Sequence, residues 1–135
     1  MAYQVIYFSR KGSTKKLADA IATEIGVKAE DVKTANLNES ACVFLGSGCY
    51  GGKPGKKITM FIEKNDFKDK NVALFGTSGG GGGQETALME IQLKNKGAIV
   101  KGNFFCKGKF WFGNKDKPSE EDLENAEKFA KKIIK

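Results

Sequence analysis

The sequence predicts an α/β protein with one doubly wound parallel sheet and helices on both of its faces. Short apolar runs alternate with segments of helical spacing along the whole chain, which is typical of strand–helix–strand units. The runs ACVFL and NVALF are continuous rather than alternating in polarity, as in strands that are buried on both faces. The 135 residues contain no repeat and no linker, so we expect a single domain over 1–135.

The first strand and the first helix have the clearest signals. Residues 3–8 are mostly apolar or aromatic, and the apolar residues of 17–25 recur at helical spacing, so the helix is predicted over 13–25. Gly26 follows as a natural helix stop. A short strand with a weaker pattern is predicted at 32–35.

The middle of the chain repeats the alternation. The run at 41–48 ends in glycines and predicts a strand. Pro54 then stands where a first helical turn would begin, because that position needs no backbone N–H. The apolar residues at 58–62 give this helix its buried side. The run at 71–80 predicts the next strand.

The last third of the chain adds two helices and a strand. Leu88 and Ile91 indicate a helix that ends near Gly97, and residues 98–105 predict the fifth strand. The final helix begins at Ser119, with an acid three residues later as a capping box. Its acidic residues come first and its lysines last, which complements the helix dipole. Its predicted buried face consists of Leu123, Ala126, Ala130 and Ile133.

Composition limits the possible chemistry. The formal charge of +7 indicates an anionic ligand or partner. The chain has no histidine, which excludes histidine acid–base catalysis and a Ser-His-Asp triad. Three cysteines without a C-x-x-C pair argue against a disulfide framework or a zinc site. We find no bilayer-length apolar run and no signal peptide, and we therefore expect a cytoplasmic protein without membrane contact.

Three loops at the carboxyl ends of predicted strands are rich in glycine and hydroxyl residues: 9–14, 47–54 and 77–84. Ligands of doubly wound sheets bind at this edge. Glycine costs conformational entropy, so three such loops suggest one ligand that is approached closely by backbone. The loop at 9–14 opens a helix, whose free N–H groups and dipole favour an anion. The alternative is that Ser13 only caps the helix.

The start of the chain resembles the flavodoxin family. Val5-Ile6-Tyr7-x-Ser9-x-x-Gly12-x-Thr14 fits the family signature of aliphatic, apolar, aromatic, x, hydroxyl, x, x, small, x, Thr. The resemblance extends through the length and the strand–helix order to the last helix. It implies a flavodoxin-like five-stranded sheet of order 2-1-3-4-5. It also implies an FMN cofactor, with its phosphate in the first loop and its ring between the second and third.

The resemblance assigns cofactor-binding residues by position. The phosphate would be held by Ser9, Arg10, Lys11, Gly12, Ser13 and Thr14. One side of the ring would face Ser47, Gly48, Cys49, Tyr50 and Gly51, and the other Thr77, Ser78, Gly79, Gly80 and Gly81. Tyr50 is the candidate for ring stacking, and the alternative is an exposed loop aromatic.

Two glycine-rich motifs and the three cysteines allow further interpretations. Gly46 to Gly51 spell G-x-G-x-x-G, but after the wrong strand and without a helix directly following, which disfavours a dinucleotide site. No Gly-Lys-Ser/Thr follows the glycine run at 79–83, so it is not a Walker A loop. Cys42 is predicted to be core. Cys49 and Cys106 either take part in redox chemistry at the ligand edge or are small apolar residues.

The segment 104–117 is basic with interleaved aromatic residues. It could bind single-stranded nucleic acid, cover the flavin, dock an acidic partner or fill a satellite core. A nucleic-acid-binding domain would leave the three glycine loops unexplained, so we expect no nucleic-acid partner.

The resemblance to flavodoxins implies an electron carrier that shuttles electrons between a reductase and an acceptor protein, and we expect no catalytic residue and no metal. Flavodoxins are typically acidic, whereas this chain is basic, so we expect acidic redox partners that contact Lys53, Lys107 and Lys109, and a monomer. The alternatives are an FMN-dependent reductase of a small molecule such as a quinone, and a module that has lost FMN and only binds a partner.

Overall fold

A computed structural model describes residues 3–108 and 116–135. The strands are β1 (Tyr3–Phe8), β2 (Ala29–Asp31), β3 (Cys42–Tyr50), β4 (Lys53–Pro54), β5 (Asn71–Ser78) and β6 (Ile99–Lys107). The helices are α1 (Ser13–Glu24), α2 (Lys56–Lys64), α3 (Gln84–Asn95) and α4 (Glu120–Ile134). In the described residues, no helix is both long and apolar enough to cross a membrane.

Five parallel strands form the sheet in the order β2-β1-β3-β5-β6. The register places Ile6 beside Leu45, and Leu45 beside Leu74. The two-residue β4 pairs only with β3 and is antiparallel to it. Counted by its parallel strands, the sheet has the predicted order 2-1-3-4-5, and the predicted fold class is confirmed.

Two hydrophobic cores lie on opposite faces of the sheet. Successive residues of β1 point to different faces: Val5 belongs to the core under α1 and α4, and Ile6 to the core under α2 and α3. Both side chains are fully buried. Cys42 lies in the first core, as predicted. Burial on both faces explains why the central strands are continuous apolar runs, and the sheet is thereby a rigid base for its edge loops.

The second strand lies at Ala29–Asp31 and not at the predicted 32–35. Its end is set by Asp31, whose side chain accepts a hydrogen bond from the N–H of Lys33 at 2.9 Å. The Asp31 carbonyl oxygen accepts from the N–H of Ala35 at 3.0 Å. An aspartate that bonds its own downstream backbone favours a turn, and it overrides the β-branched residues that follow.

Pro54 is in β4, so the prediction that it opens the second helix is wrong. Gly51 and Gly52 both have positive φ, 62° and 80°, and they join β3 to β4 in a two-residue hairpin turn of the type that requires this backbone conformation. Pro54 pairs with Cys49, and α2 begins two residues later, after its N-cap Gly55.

Helix α3 was predicted from residues that prove to be exposed. Leu88 and Ile91 are 41% and 59% exposed, whereas the buried face of α3 consists of Glu85, Thr86, Met89 and Leu93. The helix ends at Asn95, close to the predicted stop at Gly97. The segment was correctly recognised as helical, but its solvent-facing side supplied the apolar pattern.

The ends of α1 and α4 differ in their caps. Ser119 is the N-cap of α4, and its side chain and that of Asp122 bond each other's backbone N–H groups, so the predicted capping box is confirmed. Of the predicted inner face, Ala126 and Ala130 are fully buried. The N-cap of α1 is Gly12, and Ser13 is the first helical residue. The alternative that Ser13 caps α1 is therefore wrong.

Candidate functional site

The three glycine-rich loops meet in one cleft at the carboxyl edge of the sheet. The cleft has a volume of about 120 Å³. Ten of the sixteen predicted site residues line it: Ser9, Lys11, Ser13, Thr14, Gly48, Cys49, Tyr50, Thr77, Ser78 and Gly79. Gly108, which follows β6 and was not predicted, lines it as well.

The first loop presents hydroxyl groups and a helix N-terminus to the cleft. Ser9 Oγ accepts a hydrogen bond from the N–H of Gly12 at 3.1 Å, which shapes the turn into α1. The N–H groups of the first helical turn have no acceptor within the helix. Ser13, Thr14 and Lys11 add hydroxyl and ammonium groups. This donor set fits a phosphate.

A buried hydrogen bond joins the first loop to the third. The hydroxyl oxygens of Thr14 and Thr77 lie 2.8 Å apart, and both side chains are buried. Gly108 closes over this pair, where an added Cβ would lie 2.8 Å from Thr77 Cβ. Since Thr14 is in the first turn of α1 and Thr77 lies next to the last residue of β5, the bond fixes the distance between two loops that line the cleft.

Arg10 does not line the cleft, although it was predicted to contact the phosphate. Its guanidinium lies over the Tyr50 ring, 4.4 Å from the centroid, as a cation–π pair. The N–H of Arg10 donates to Tyr50 Oη at 3.2 Å. Lys15, another cation of this region, is turned along α1, with its Nζ 3.0 Å from Asp19 Oδ2. Of the cations in the predicted phosphate loop, Lys11 is therefore the one at the cleft.

The second loop is held by Ser47, which is fully buried behind the cleft. Its hydroxyl donates to the carbonyl of Gly48 and accepts from the N–H of Gly55, each at 2.8 Å. The hydroxyl is thus committed to the hairpin that presents Tyr50. The other predicted residues that do not line the cleft are Gly12, Gly51, Gly80 and Gly81.

Tyr50 is packed on more than one side. Phe8 meets its ring edge-on, with centroids 5.8 Å apart, and Arg10 covers a ring face. Burial raises the pKa of the Tyr50 phenol, which stays neutral. The Tyr50 ring lines the cleft. A flavin could stack on the ring face that Arg10 does not cover, or on the covered face after Arg10 has moved away. Ring stacking by Tyr50 stays a prediction.

Glu85 was missed by the sequence analysis. It is fully buried at the start of α3, and neither of its carboxyl oxygens has a hydrogen-bond partner among the described residues. Its side chain packs on Gly76 of β5, where any Cβ would collide with the carboxyl group. Burial raises the pKa of Glu85 above its ordinary value. In the sequence it is an acid in a first helical turn, which normally indicates an exposed residue that complements the dipole.

The cysteines near the cleft are protected from ionisation. Cys49 is half-buried and lines the cleft, and burial raises the pKa of its thiol. Burial raises the pKa of Cys106 to about 12. Because the thiolate is the reactive form of cysteine, these surroundings favour the reading of both residues as small apolar groups.

Comparisons with known proteins agree on one family. A family profile described as a flavodoxin domain matches residues 4–112. An uncharacterized protein of Methanocaldococcus jannaschii is 31% identical over 136 aligned residues, which cover 91% of this chain and 91% of that protein. A flavodoxin of Clostridium beijerinckii is 32% identical over 110 residues, 72% of this chain and 79% of its own.

Among solved structures, a flavodoxin from the domain Archaea superposes with a TM-score of 0.80 at 21% identity and covers the full length of both chains. At that identity the likeness shows the fold alone.

Proposed function

Because this chain belongs to the flavodoxin family, whose members are generally FMN-binding electron-transfer proteins, we propose that it binds FMN and shuttles electrons between a reductase and an acceptor protein. The observation that supports this best is the meeting of three glycine- and hydroxyl-rich loops in one cleft. Such a cleft suits a ligand with both a phosphate and a flat ring that backbone must approach closely.

The phosphate would be held at the start of α1. Ser9, Lys11, Ser13 and Thr14 are the groups that line the cleft there. A charge-assisted hydrogen bond contributes about 1.5–3 kcal/mol, so two such bonds would make the phosphate a major part of the affinity. The positive end of the helix dipole adds to the attraction.

The ring would lie between the second and third loops. The flavin, when bound, supplies the chemistry of electron transfer. The protein contributes position: the Ser47 bonds hold the hairpin with Tyr50, and the Thr14–Thr77 bond holds the third loop against the first. Neither cysteine is ionised at neutral pH, and we assign no acid, base or nucleophile to the chain.

The partners would be acidic proteins. The formal charge is +7, and opposite charges accelerate association at low ionic strength. Of the three lysines expected at the contact, Lys53 lies in β4 and Lys107 ends β6. Lys109 lies outside the described residues.

An absorption titration tests the proposal. Apoprotein titrated with FMN should show a shifted flavin spectrum that saturates at one FMN per chain. A chain that leaves the spectrum and fluorescence of FMN unchanged would instead support a module that has lost its cofactor.

A further inference from the structure

A basic groove lies beside the cleft and is separate from the phosphate site. It has a volume of about 510 Å³ and runs between the β3–β4 hairpin, the start of α2 and the side of α3. Tyr50 lines both the groove and the cleft. A molecule bound in the groove would therefore lie against a residue of the candidate cofactor site.

Three cations from three parts of the chain line this groove. Arg10 comes from the first loop, Lys53 from β4 and Lys56 from the first turn of α2. Within 3–108 and 116–135, no acidic side chain lines the groove, and no acidic side chain forms an ion pair with these cations. Like charges held together without a counter-charge repel one another, so binding of an anionic group relieves the repulsion.

The geometry of Arg10 is fixed toward this groove. Its guanidinium rests on the Tyr50 ring, and its backbone N–H bonds Tyr50 Oη. A guanidinium stacked on an aromatic ring retains its in-plane N–H donors, which suit a carboxylate. Arg10 thus brings a planar cation that can bind a carboxylate to the lining of the groove.

The groove also has an apolar wall. Leu88 of α3 lines it and is 41% exposed. Ile91, 59% exposed, lies three residues further along α3 on the adjoining surface. Behind them, Gln92 Nε2 donates to the carbonyl of Thr59 at 2.8 Å and ties α3 to α2. The wall is therefore part of the rigid fold.

We propose that this groove is the docking site for an acidic segment of a partner protein, in which carboxylates meet Arg10, Lys53 and Lys56 and one apolar side chain packs on Leu88. The proposal rests on the proposed function, because it places that partner next to the cofactor cleft. Protein interfaces combine an apolar centre with a charged rim. A nucleic acid strand would leave Leu88 and Ile91 unused, and a small anion would not cover Ile91.

NMR titration of the ¹⁵N-labelled apoprotein tests the docking site with a defined probe. The probe is the capped peptide Glu-Glu-Phe-Glu-Glu at low salt. We expect the largest amide shifts at Lys53, Lys56, Leu88 and Gln92. The peptide with Ala in place of Phe should bind more weakly, and its shifts at Leu88 should shrink.

Charge-reversed variants distinguish binding at the groove from a general effect of net charge. Lys53→Glu with Lys56→Glu should weaken binding of the peptide about tenfold, because two exposed ion pairs are lost and each contributes modestly. The matched control, Lys33→Glu with Lys57→Glu, changes net charge equally but alters a different groove, between α2 and the end of β2. It should retain most of the affinity. All four lysines are exposed, so all variants should fold.

Several results would overturn the docking site. Equal weakening by both double variants would mean that only net charge matters. Amide shifts centred on Lys107 would mean that the peptide binds elsewhere. The absence of shifts would mean that it does not bind. Equal shifts with hexathymidylate would indicate a nucleic-acid surface. FMN binding without groove shifts would refute the docking site alone, whereas groove shifts without FMN binding would refute the proposed function alone.

Discussion

Replacing Glu85 by Gln should increase the stability of the protein relative to the parent chain as the pH rises above the ordinary carboxyl pKa. Glu85 is fully buried, its carboxyl oxygens have no hydrogen-bond partner in the part of the chain that the structure describes, and burial raises its pKa in the folded state. In the unfolded chain the carboxyl ionises near its ordinary pKa, which is about 4.3. Above that pH the unfolded state loses a proton that the folded state keeps.

The sign and size of the effect follow from this difference. The stability that neutral Glu85 contributes is fully present below its unfolded pKa and is lost as the pH rises through its folded pKa. Each unit between the two pKa values costs about 1.4 kcal/mol. The neutral amide of Gln has the same shape and suffers no such loss. The free-energy difference between variant and parent should therefore grow by up to about 1.4 kcal/mol per pH unit, and level off above the folded pKa.

Urea unfolding of both apoproteins at half-unit steps from pH 4 to pH 8 measures this difference. Glu63→Gln is the matched control, because Glu63 is an exposed acid on α2. A difference for Glu85→Gln that does not change with pH would refute the reasoning, because Glu85 would then ionise at the same pH in both states.

Three further predictions concern the frame of the site. Gly51→Ala should destabilise the protein by about 1–2 kcal/mol in urea unfolding, because φ is 62° there, whereas Gly80→Ala, with open space and no positive φ, should not. Ser119→Ala should cost about 0.5–2 kcal/mol by the same assay through loss of the N-cap; no change would mean that the cap is dispensable. In a Cys42→Ala, Cys49→Ser variant, which keeps Cys106 alone of the three cysteines, Cys106 should react with a thiol reagent at pH 8 roughly a thousandfold more slowly than an ordinary thiol, because its pKa is about 12; ordinary reactivity would contradict its burial.

The order of strands and helices could be predicted because the strongest signals in the sequence come from buried apolar residues. The continuous runs of β3 and β5 are apolar because helices cover both faces of the sheet, and the same burial fixes their central positions. The three loops could be predicted as one site because parallel strands end at one edge. The ten residues that line the cleft could be predicted from that topology together with the family resemblance, and no single residue would have been sufficient.

The misplaced elements depend on local hydrogen bonds that apolar periodicity does not report. Asp31 ends β2 by bonding its own downstream backbone, and the Gly51–Gly52 turn inserts β4 before α2. At the site, Arg10 stands in the loop that is predicted to bind phosphate, yet its guanidinium lies over the Tyr50 ring and not in the cleft. The burial of Glu85 could not be predicted from apolar periodicity, because it depends on the close approach of its carboxyl group to Gly76 of β5, which has no side chain.

The central claim is that the start of α1 holds the phosphate of FMN, and the affinity ratio of FMN to riboflavin tests it most directly. Fluorescence titrations of the apoprotein with each flavin measure that ratio. We expect FMN to bind about a hundredfold more tightly, since two charge-assisted hydrogen bonds contribute about 3 kcal/mol. Lys11→Gln should lower the ratio about tenfold, whereas Lys28→Gln, at an exposed position after α1, should leave it unchanged. Equal affinity for the two flavins would contradict the account.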